Sequence, residues 1–293
     1  DYERKRWSTG LFSGSQPDPQ DYGYSSDIKE HGAYFQYRGD PAPRKSWSVT
    51  TGLVASYQES EVNREFLYVQ GRYRGEKLSA YATSELDFNR DWKKEAGESG
   101  LEFTSGFFSL HYRLNEKVTL RGGFDDRRNV RLYRHHVTPE TDFDDTFRRG
   151  GWAGIHVRLQ KRFSFGFDAR SSSGGDAGSA DSYTATFGAT RLTSSNLRVH
   201  ARATSYSNDR LEGWLYSLRA GLDLGRNVGL SLSGGLRDES NLVYDVFDDS
   251  MTWFGFDLDV NLGRRWLLIF SGERTSGDFE ETDQFFTRLS YRF

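Results

Sequence analysis

Apolar and polar residues alternate with a period of two along almost the whole chain, and this pattern restricts it to β-structure. In the segment 251–262, MTWFGFDLDVNL, Phe254 and Phe256 fall on one face, while Asp257 falls on the other. The final segment 284–293, QFFTRLSYRF, shows the same alternation up to its last residue. Because successive side chains of a strand point to opposite faces, such segments predict strands with one apolar face. No segment has the 3.6-residue period of a convincing amphipathic helix.

The composition is polar on average but rich in aromatic rings. A mean hydropathy of -0.74 and 28% charged residues are typical of disordered chains, yet aromatic residues make up 15% of the sequence. No apolar run reaches the length of a transmembrane helix. The absence of cysteine excludes disulfides and thiolate chemistry, and a net charge of -3 gives no electrostatic footprint for nucleic acid.

The connections between the predicted strands fall into two classes that alternate along the chain. The short connections are 74–77, 115–117, 160–162, 193–196, 225–227 and 263–265. The long, polar connections are 14–31, 58–64, 88–99, 125–150, 171–181, 205–212, 237–249 and 275–283. All five prolines lie in connections, where a missing backbone donor costs no sheet hydrogen bond.

This pattern predicts an all-β fold, a transmembrane antiparallel β-barrel of about sixteen strands. The predicted strands are centred near residues 9, 35, 52, 69, 82, 107, 121, 155, 166, 187, 200, 218, 232, 256, 270 and 288. An even number of strands, with short periplasmic turns and long extracellular loops, is the architecture of bacterial outer-membrane barrels. A closed sheet also pairs every backbone group within hydrocarbon. The alternative is a soluble β-sandwich or propeller, which would bury its apolar faces in a core.

The C-terminal segment places four apolar residues at alternating positions. They are Phe285, Leu289, Tyr291 and Phe293. This arrangement resembles the C-terminal signal of Gram-negative outer-membrane proteins, and the resemblance implies recognition by the barrel assembly machinery. It also implies contact with outer-membrane lipids and lipopolysaccharide in the bacterial outer membrane. We expect one barrel domain, 1–293, which could also be the C-terminal domain of a longer precursor.

The strand faces opposite the apolar ones are rich in charge, and we predict that they line the lumen. The candidate pore-lining residues are Arg113, Arg121, His156, Arg158, Arg170, Arg198, His200, Arg202, Arg219, Asp257, Asp259, Glu273 and Arg288. One interpretation is a transverse field across a water-filled pore, in which charged walls select solutes. The other is a self-neutralising ladder of ion pairs that stiffens the wall. Sixteen strands spaced by about 4.8 Å and tilted by about 40° give a diameter of roughly 30 Å, too wide for side chains to fill.

The function expected from these features is an outer-membrane channel for small polar or anionic solutes. The alternative is a membrane-barrel scaffold or export conduit of a multi-component complex, either for polysaccharide export or as a sheath for a periplasmic or surface partner protein. The longest loop, 125–151, is either a constriction or a surface loop. His135 and His136 beside acidic residues do not form a convincing metal site, and no motif selects a catalytic triad. We therefore expect no enzyme activity, no cofactor, no metal and no nucleic-acid partner.

Overall fold

The fold is known from a computed structural model of the chain. It describes residues 2–18, 23–39, 44–128, 130, 132–133, 147–174, 178–194, 196–243, 249–263, 265–278 and 281–291. The strands are β1 (Tyr2–Glu3), β2 (Trp7–Asp18), β3 (Gly23–Arg38), β4 (Ser46–Gln58), β5 (Glu61–Arg74), β6 (Leu78–Phe88), β7 (Leu101–Arg113), β8 (Val118–Arg128), β9 (Phe147–Leu159), β10 (Phe163–Ser173), β11 (Ser179–Ala189), β12 (Arg198–Asn208), β13 (Leu211–Leu224), β14 (Val228–Asn241), β15 (Asp249–Leu262), β16 (Trp266–Gly277) and β17 (Glu281–Tyr291). One helical turn, α1 (Trp92–Glu95), lies between β6 and β7.

The predicted all-β class and strand positions are confirmed. The described strands belong to one sheet of seventeen, and each of the sixteen predicted centres lies within one of the strands β2–β17. The additional strand, β1, has two residues and pairs with β2. Within the described residues, no helix is long and apolar enough to span a membrane.

The chain divides into two compact units. Unit 1 comprises Asp1–Arg113, Arg121–Gly151 and Ser173–Asp176, and unit 2 comprises Leu114–Leu120, Trp152–Ser172 and Ala177–Phe293. In unit 1 the strands β1 to β7 pair in sequence order, each antiparallel to the next. In unit 2 the strands β11 to β17 pair in the same way.

The strand register places apolar residues on one face of each unit, which we call the apolar face. In unit 1, Leu11, Ala33, Leu53 and Leu67 are consecutive cross-strand partners. In unit 2 the corresponding row is Ala201, Leu218, Gly234 and Phe254. We call the opposite face, which carries Arg64 and Asp87 in unit 1 and Arg202 and Asp257 in unit 2, the polar face.

The apolar faces are exposed, although they carry large side chains. Leu11 is 81% exposed, Leu218 54% and Phe285 82%. The buried hydrophobic residues among the described positions are Ile28, Val62, Trp92 and Ala189. A soluble sandwich or propeller would bury such faces in a core, whereas the outer face of a membrane barrel contacts lipid. This exposure favours the membrane barrel over the soluble alternative.

Aromatic rings border the apolar faces near the short turns. In unit 1, Trp47 pairs with Tyr73, and its ring lies 5.3 Å from that of Tyr37. In unit 2, the rings of Trp266 and Tyr291 are 4.7 Å apart. Tyr57 lies ten residues beyond Trp47 on β4, a distance of about 25 Å along the membrane normal for a strand tilted by about 40°. The apolar band of an outer-membrane barrel has about this height.

Two of the predicted long connections are wrong in extent. The segments 58–64 and 205–212 are mostly strand, and each contains a two-residue turn, at 59–60 and 209–210. Ser56 still pairs with Arg64, and Ser207 still pairs with Glu212. Beyond the apolar band both faces of a strand are polar, so the alternation of hydrophobicity disappears while the backbone pairing continues. The strands β2 and β3 likewise extend into the predicted connection 14–31, to Asp18 and from Gly23, so Pro17 lies in β2, at a register shift, and not in a connection as predicted.

Candidate functional site

The polar face of unit 2 carries arginines on its earlier strands. Arg158 lies on β9, Arg170 on β10, Arg198 and Arg202 on β12, and Arg219 on β13. The cross-strand partners of Arg202, Thr186 and Ser217, are small and polar, and Gly221 is a partner of Arg198. Arg198 and Arg202 therefore project from a part of the wall with little side-chain bulk.

Carboxylates occupy the later strands of the same face. Asp257 and Asp259 lie on β15 and Glu273 lies on β16. Arg219 reaches across β14 and donates from Nη2 to Asp257 Oδ2 at 3.3 Å, while Ser271 donates to Asp257 Oδ1 at 2.9 Å. Arg219 and Asp257 thus form a boundary between a cationic region on β9–β13 and an acidic region on β15–β16.

Some of these charges are neutralised locally. Arg198 donates to Asp223 Oδ1 at 2.9 Å, and Asn196 donates to Asp223 Oδ2 at 2.7 Å. In the part of the chain that the structure describes, Arg158, Arg170, Arg202 and Arg288 form no ion pair. Arg202 donates from Nε to the Thr204 hydroxyl at 3.1 Å, and Arg288 donates to the Ser290 hydroxyl at 3.1 Å. The ion pair of Arg198 fits the neutralised ladder, whereas the transverse field across the lumen stays a prediction.

The remaining predicted lining residues lie on both units. His156 and His200 share the polar face of unit 2, where the Gly166 Cα faces the His156 ring. Arg113 and Arg121 belong to unit 1. Arg113 lines a polar cavity of about 710 Å³ with Arg44 and Glu76, whose side chains form a 2.7 Å ion pair. Their role as pore-lining residues stays a prediction.

Unit 1 contains a buried charge cluster on its polar face. Arg64 donates from Nε and Nη2 to the two oxygens of Asp87, both at 2.8 Å, and from Nη2 to Glu85 at 2.7 Å. Thr104 donates its hydroxyl proton to Asp87 Oδ1 at 2.7 Å. The Asp87 side chain is 1% exposed and that of Arg64 is 20% exposed. Each buried charge is therefore paired and hydrogen-bonded, as its burial requires.

The connection that contains α1 packs over this cluster. Trp92 is buried and donates from Nε1 to the Val62 carbonyl at 2.7 Å, and its ring lies 5.8 Å from that of Tyr133. Lys93 is 1% exposed. Burial lowers the pKa of the Lys93 ammonium, and the negative charge of nearby Asp87 partly opposes this effect.

The sequence reasoning missed this cluster because Arg64 was assigned to a connection. Glu85 and Asp87 lie two residues apart on one face of β6. Two acids at i and i+2 on a strand need a cation on a neighbouring strand, and Arg64 follows the preceding turn closely enough to supply it. This need for a neighbouring cation was the sequence signal that could have revealed the cluster. The position of α1 could not be found, since four residues carry no helical periodicity.

The described residues of the C-terminal signal lie on the apolar face. Phe285, Leu289 and Tyr291 are partners of Gly272, Leu268 and Trp266 on β16. Leu289 is 58% exposed. Phe293 lies outside the described residues, as do most residues of the predicted loop 125–151, including His135 and His136. Over the described ranges, no group of three His, Asp or Glu side chains is arranged to hold a metal ion.

Comparison with known proteins identifies the fold. No family model and no curated protein matches the sequence. The structure of OccK3 (OpdO) from Pseudomonas aeruginosa matches with a TM-score of 0.50 and 10% identity, over 97% of this chain and 92% of that chain. OmpT of Vibrio cholerae, as a loop L8 deletion mutant, matches with a TM-score of 0.49 and 8% identity, over 98% and 96%. An anion-selective porin from Comamonas acidovorans matches with a TM-score of 0.44 and 13% identity, over 92% and 89%.

The match to OccK3 carries the fold assignment, and no conclusion rests on the two lower scores. The chain has the antiparallel β-barrel fold of outer-membrane porins. Its exposed apolar faces and aromatic borders fit the same location, the bacterial outer membrane.

Proposed function

We propose that this protein is an outer-membrane channel that passes small polar or anionic solutes along a charged lumen wall. The observation that carries the proposal is the separation of charge on the polar face of unit 2. Arginines outnumber carboxylates on β9–β13 of this face, where the acids are Asp168 and Asp223. Asp257, Asp259 and Glu273 lie on β15 and β16, with Arg219 and Asp257 at the boundary. Charged side chains that face each other across water produce a transverse field, which orients and selects solutes.

The uncompensated charges of this wall favour anions. Four arginines without an ion pair among the described residues, Arg158, Arg170, Arg202 and Arg288, stand against Asp259 and Glu273. Arg198 contributes less, because Asp223 neutralises it. The expected preference is modest, since both signs of charge remain on the face. Salt screens the wall charges, so the anion preference should decrease as the ionic strength rises.

The connection 89–100, between β6 and β7, could narrow the lumen of the proposed channel only if it packs on the polar face, and it does so. It buries Trp92 and Lys93 against the strands of unit 1, so it packs onto the sheet instead of extending into solvent. Tyr133, a described residue of the loop 125–151, packs against Trp92 of this connection, and the role of that loop stays a prediction.

The test is single-channel recording of the purified protein in a planar bilayer with a salt gradient. We expect stable open steps and a reversal potential that indicates anion preference. Arg202→Gln should reduce that preference by removing an unpaired cation, whereas the double substitution Arg198→Gln, Asp223→Asn, which removes a neutral ion pair, should change it little. Arg274→Gln is the matched control, since Arg274 is the partner of Phe254 on the apolar face.

Absence of conductance from correctly folded protein would contradict the proposal. It would favour a scaffold whose lumen is occupied by a partner protein. A cation preference that Arg202→Gln leaves unchanged would refute the assignment of the wall charges while leaving the channel itself intact.

A further inference from the structure

A cavity of about 540 Å³ lies on the polar face of unit 2, across the strands β10–β15. Its charged lining residues are Arg198, Arg219 and Asp259, and His200, Ser164 and Ser231 add polar groups. Its volume is in the range of small-molecule sites in proteins. We call this cavity the niche.

Glycines make the niche possible. Gly188, Gly221 and Gly229 form part of its lining, where other residues would project side chains into the space. A Cβ added at Gly221 would have its nearest neighbour at 3.8 Å, and one at Gly229 would have Asp259 Cβ at 3.8 Å. The space above these two glycines is therefore open.

The cationic side of the niche is held in a fixed orientation. Arg198 is anchored by Asp223 at 2.9 Å. Arg219 is anchored by the Ser231 hydroxyl at 2.9 Å and by Asp257 at 3.3 Å. A guanidinium has five N–H donors, so these contacts leave donors on each arginine that can bind a carboxylate. The exposed His200 ring lies beside them, as the cross-strand partner of Arg219.

The acidic side of the niche is Asp259. It is exposed and forms no ion pair among the described residues. Asp257 and Asp259 lie two residues apart on one strand face, a separation of about 7 Å. Arg219 contacts Asp257, and both Arg219 and Asp259 line the niche. The niche thus offers positive charge from Arg198 and Arg219 on one side and negative charge from Asp259 on the other.

We propose that the niche binds small zwitterions of the α-amino acid class. The ligand carboxylate lies against Arg219 and Arg198, and the ligand ammonium lies against Asp259. In an α-amino acid one carbon separates the two charged groups, so the molecule is short enough to contact both sides. The inference rests on the proposed function, because the polar face must line a water-filled path that solutes can enter.

The test compares three probes of equal size on folded protein in detergent, by saturation-transfer NMR or equilibrium binding. L-Serine carries both charges, glycerate replaces the ammonium with a hydroxyl, and serinol replaces the carboxylate with a hydroxymethyl group. We expect L-serine to bind at least about tenfold more tightly than either analogue, since each analogue leaves one charged side of the niche without a partner.

Substitutions separate the two ends of the site. Asp259→Asn should reduce L-serine affinity to that of glycerate, and Arg219→Gln should reduce it to that of serinol. Gly221→Leu should abolish L-serine binding by filling the niche, in protein that retains the circular dichroism of the folded barrel. Gly14→Leu is the control for the added side chain, because nothing lies within 4 Å of a Cβ at Gly14 on unit 1.

The outcomes distinguish this inference from the proposed function. Conductance without preferential L-serine binding would overturn the niche and leave the channel. L-Serine binding without conductance would overturn the channel and support the niche as a site. Equal affinities for L-serine and glycerate would overturn the role of Asp259, and binding that survives Gly221→Leu would place the ligand elsewhere.

Discussion

The substitution Arg64→Met should destabilise the protein by breaking a buried charge cluster. Asp87 is 1% exposed and accepts two hydrogen bonds from Arg64 and one from Thr104. Removal of one partner of a buried ion pair typically costs about 3–5 kcal/mol, because the other charge remains buried. The Thr104 hydroxyl and the nearby Lys93 ammonium still interact with Asp87, so we expect the lower end, about 3 kcal/mol.

The assay is guanidinium-induced unfolding in lipid vesicles, followed by tryptophan fluorescence. The midpoint should fall while the dependence on denaturant stays the same. Arg274→Met is the matched control, since Arg274 and Glu281 are 61% and 62% exposed and such pairs contribute about 0–1 kcal/mol. The double substitution Arg64→Met, Asp87→Asn should recover part of the loss, because no uncompensated charge remains. A loss below about 1 kcal/mol for Arg64→Met, or one equal to that of the control, would refute the reasoning.

Three further predictions follow from single positions. Burial lowers the pKa of Lys93, so the unfolded state binds more protons than the folded state between that lowered pKa and the usual value of about 10.4. The free energy of unfolding should therefore rise with pH across this window. The rise should be smaller in Lys93→Met, and unfolding at several pH values will measure it. A Cβ at Gly235 would lie 2.4 Å from the Tyr216 carbonyl oxygen, so Gly235→Ala should lower the free energy of unfolding by about 1–3 kcal/mol. Gly71→Ala is the control and should leave it unchanged, because no atom lies within 4 Å of a Cβ at Gly71. Phe270→Arg places a charge on the apolar face and should cost about 2–4 kcal/mol, while Ile269→Arg on the polar face should cost much less; equal losses would contradict the assignment of the two faces.

The fold could be predicted from the sequence because lipid imposes a strong pattern. Phe254, Phe256 and Leu258 repeat every second residue, and the sheet preserves that alternation through its register. The pattern ends where the strands leave the apolar band, so the pairing of Ser56 with Arg64 was not foreseen. Strand boundaries outside the membrane depend on backbone hydrogen bonds, which leave no signal in hydrophobicity.

The candidate site was only partly predictable for a similar reason. Alternation places Arg198, Arg219 and Asp257 on one face, and this agrees with the register. Which charges neutralise each other depends on which strands are neighbours and on side-chain reach, as with Arg219 crossing β14 to Asp257. The niche depends on glycines at cross-strand positions, and no periodicity reveals that Gly221 and Gly229 lie beside the same arginines.

The central claim, that the polar face lines a conducting path, can be tested by a cysteine placed on each face of β13. The chain has no cysteine, so Ser217→Cys and Leu218→Cys each carry a single thiol. A membrane-impermeant, negatively charged thiosulfonate is added during single-channel recording. We expect the anion current to fall in Ser217→Cys, whose position pairs with Arg202, and to stay constant in Leu218→Cys, whose side chain faces lipid. A current that is unchanged in Ser217→Cys although the thiol has reacted would contradict the account.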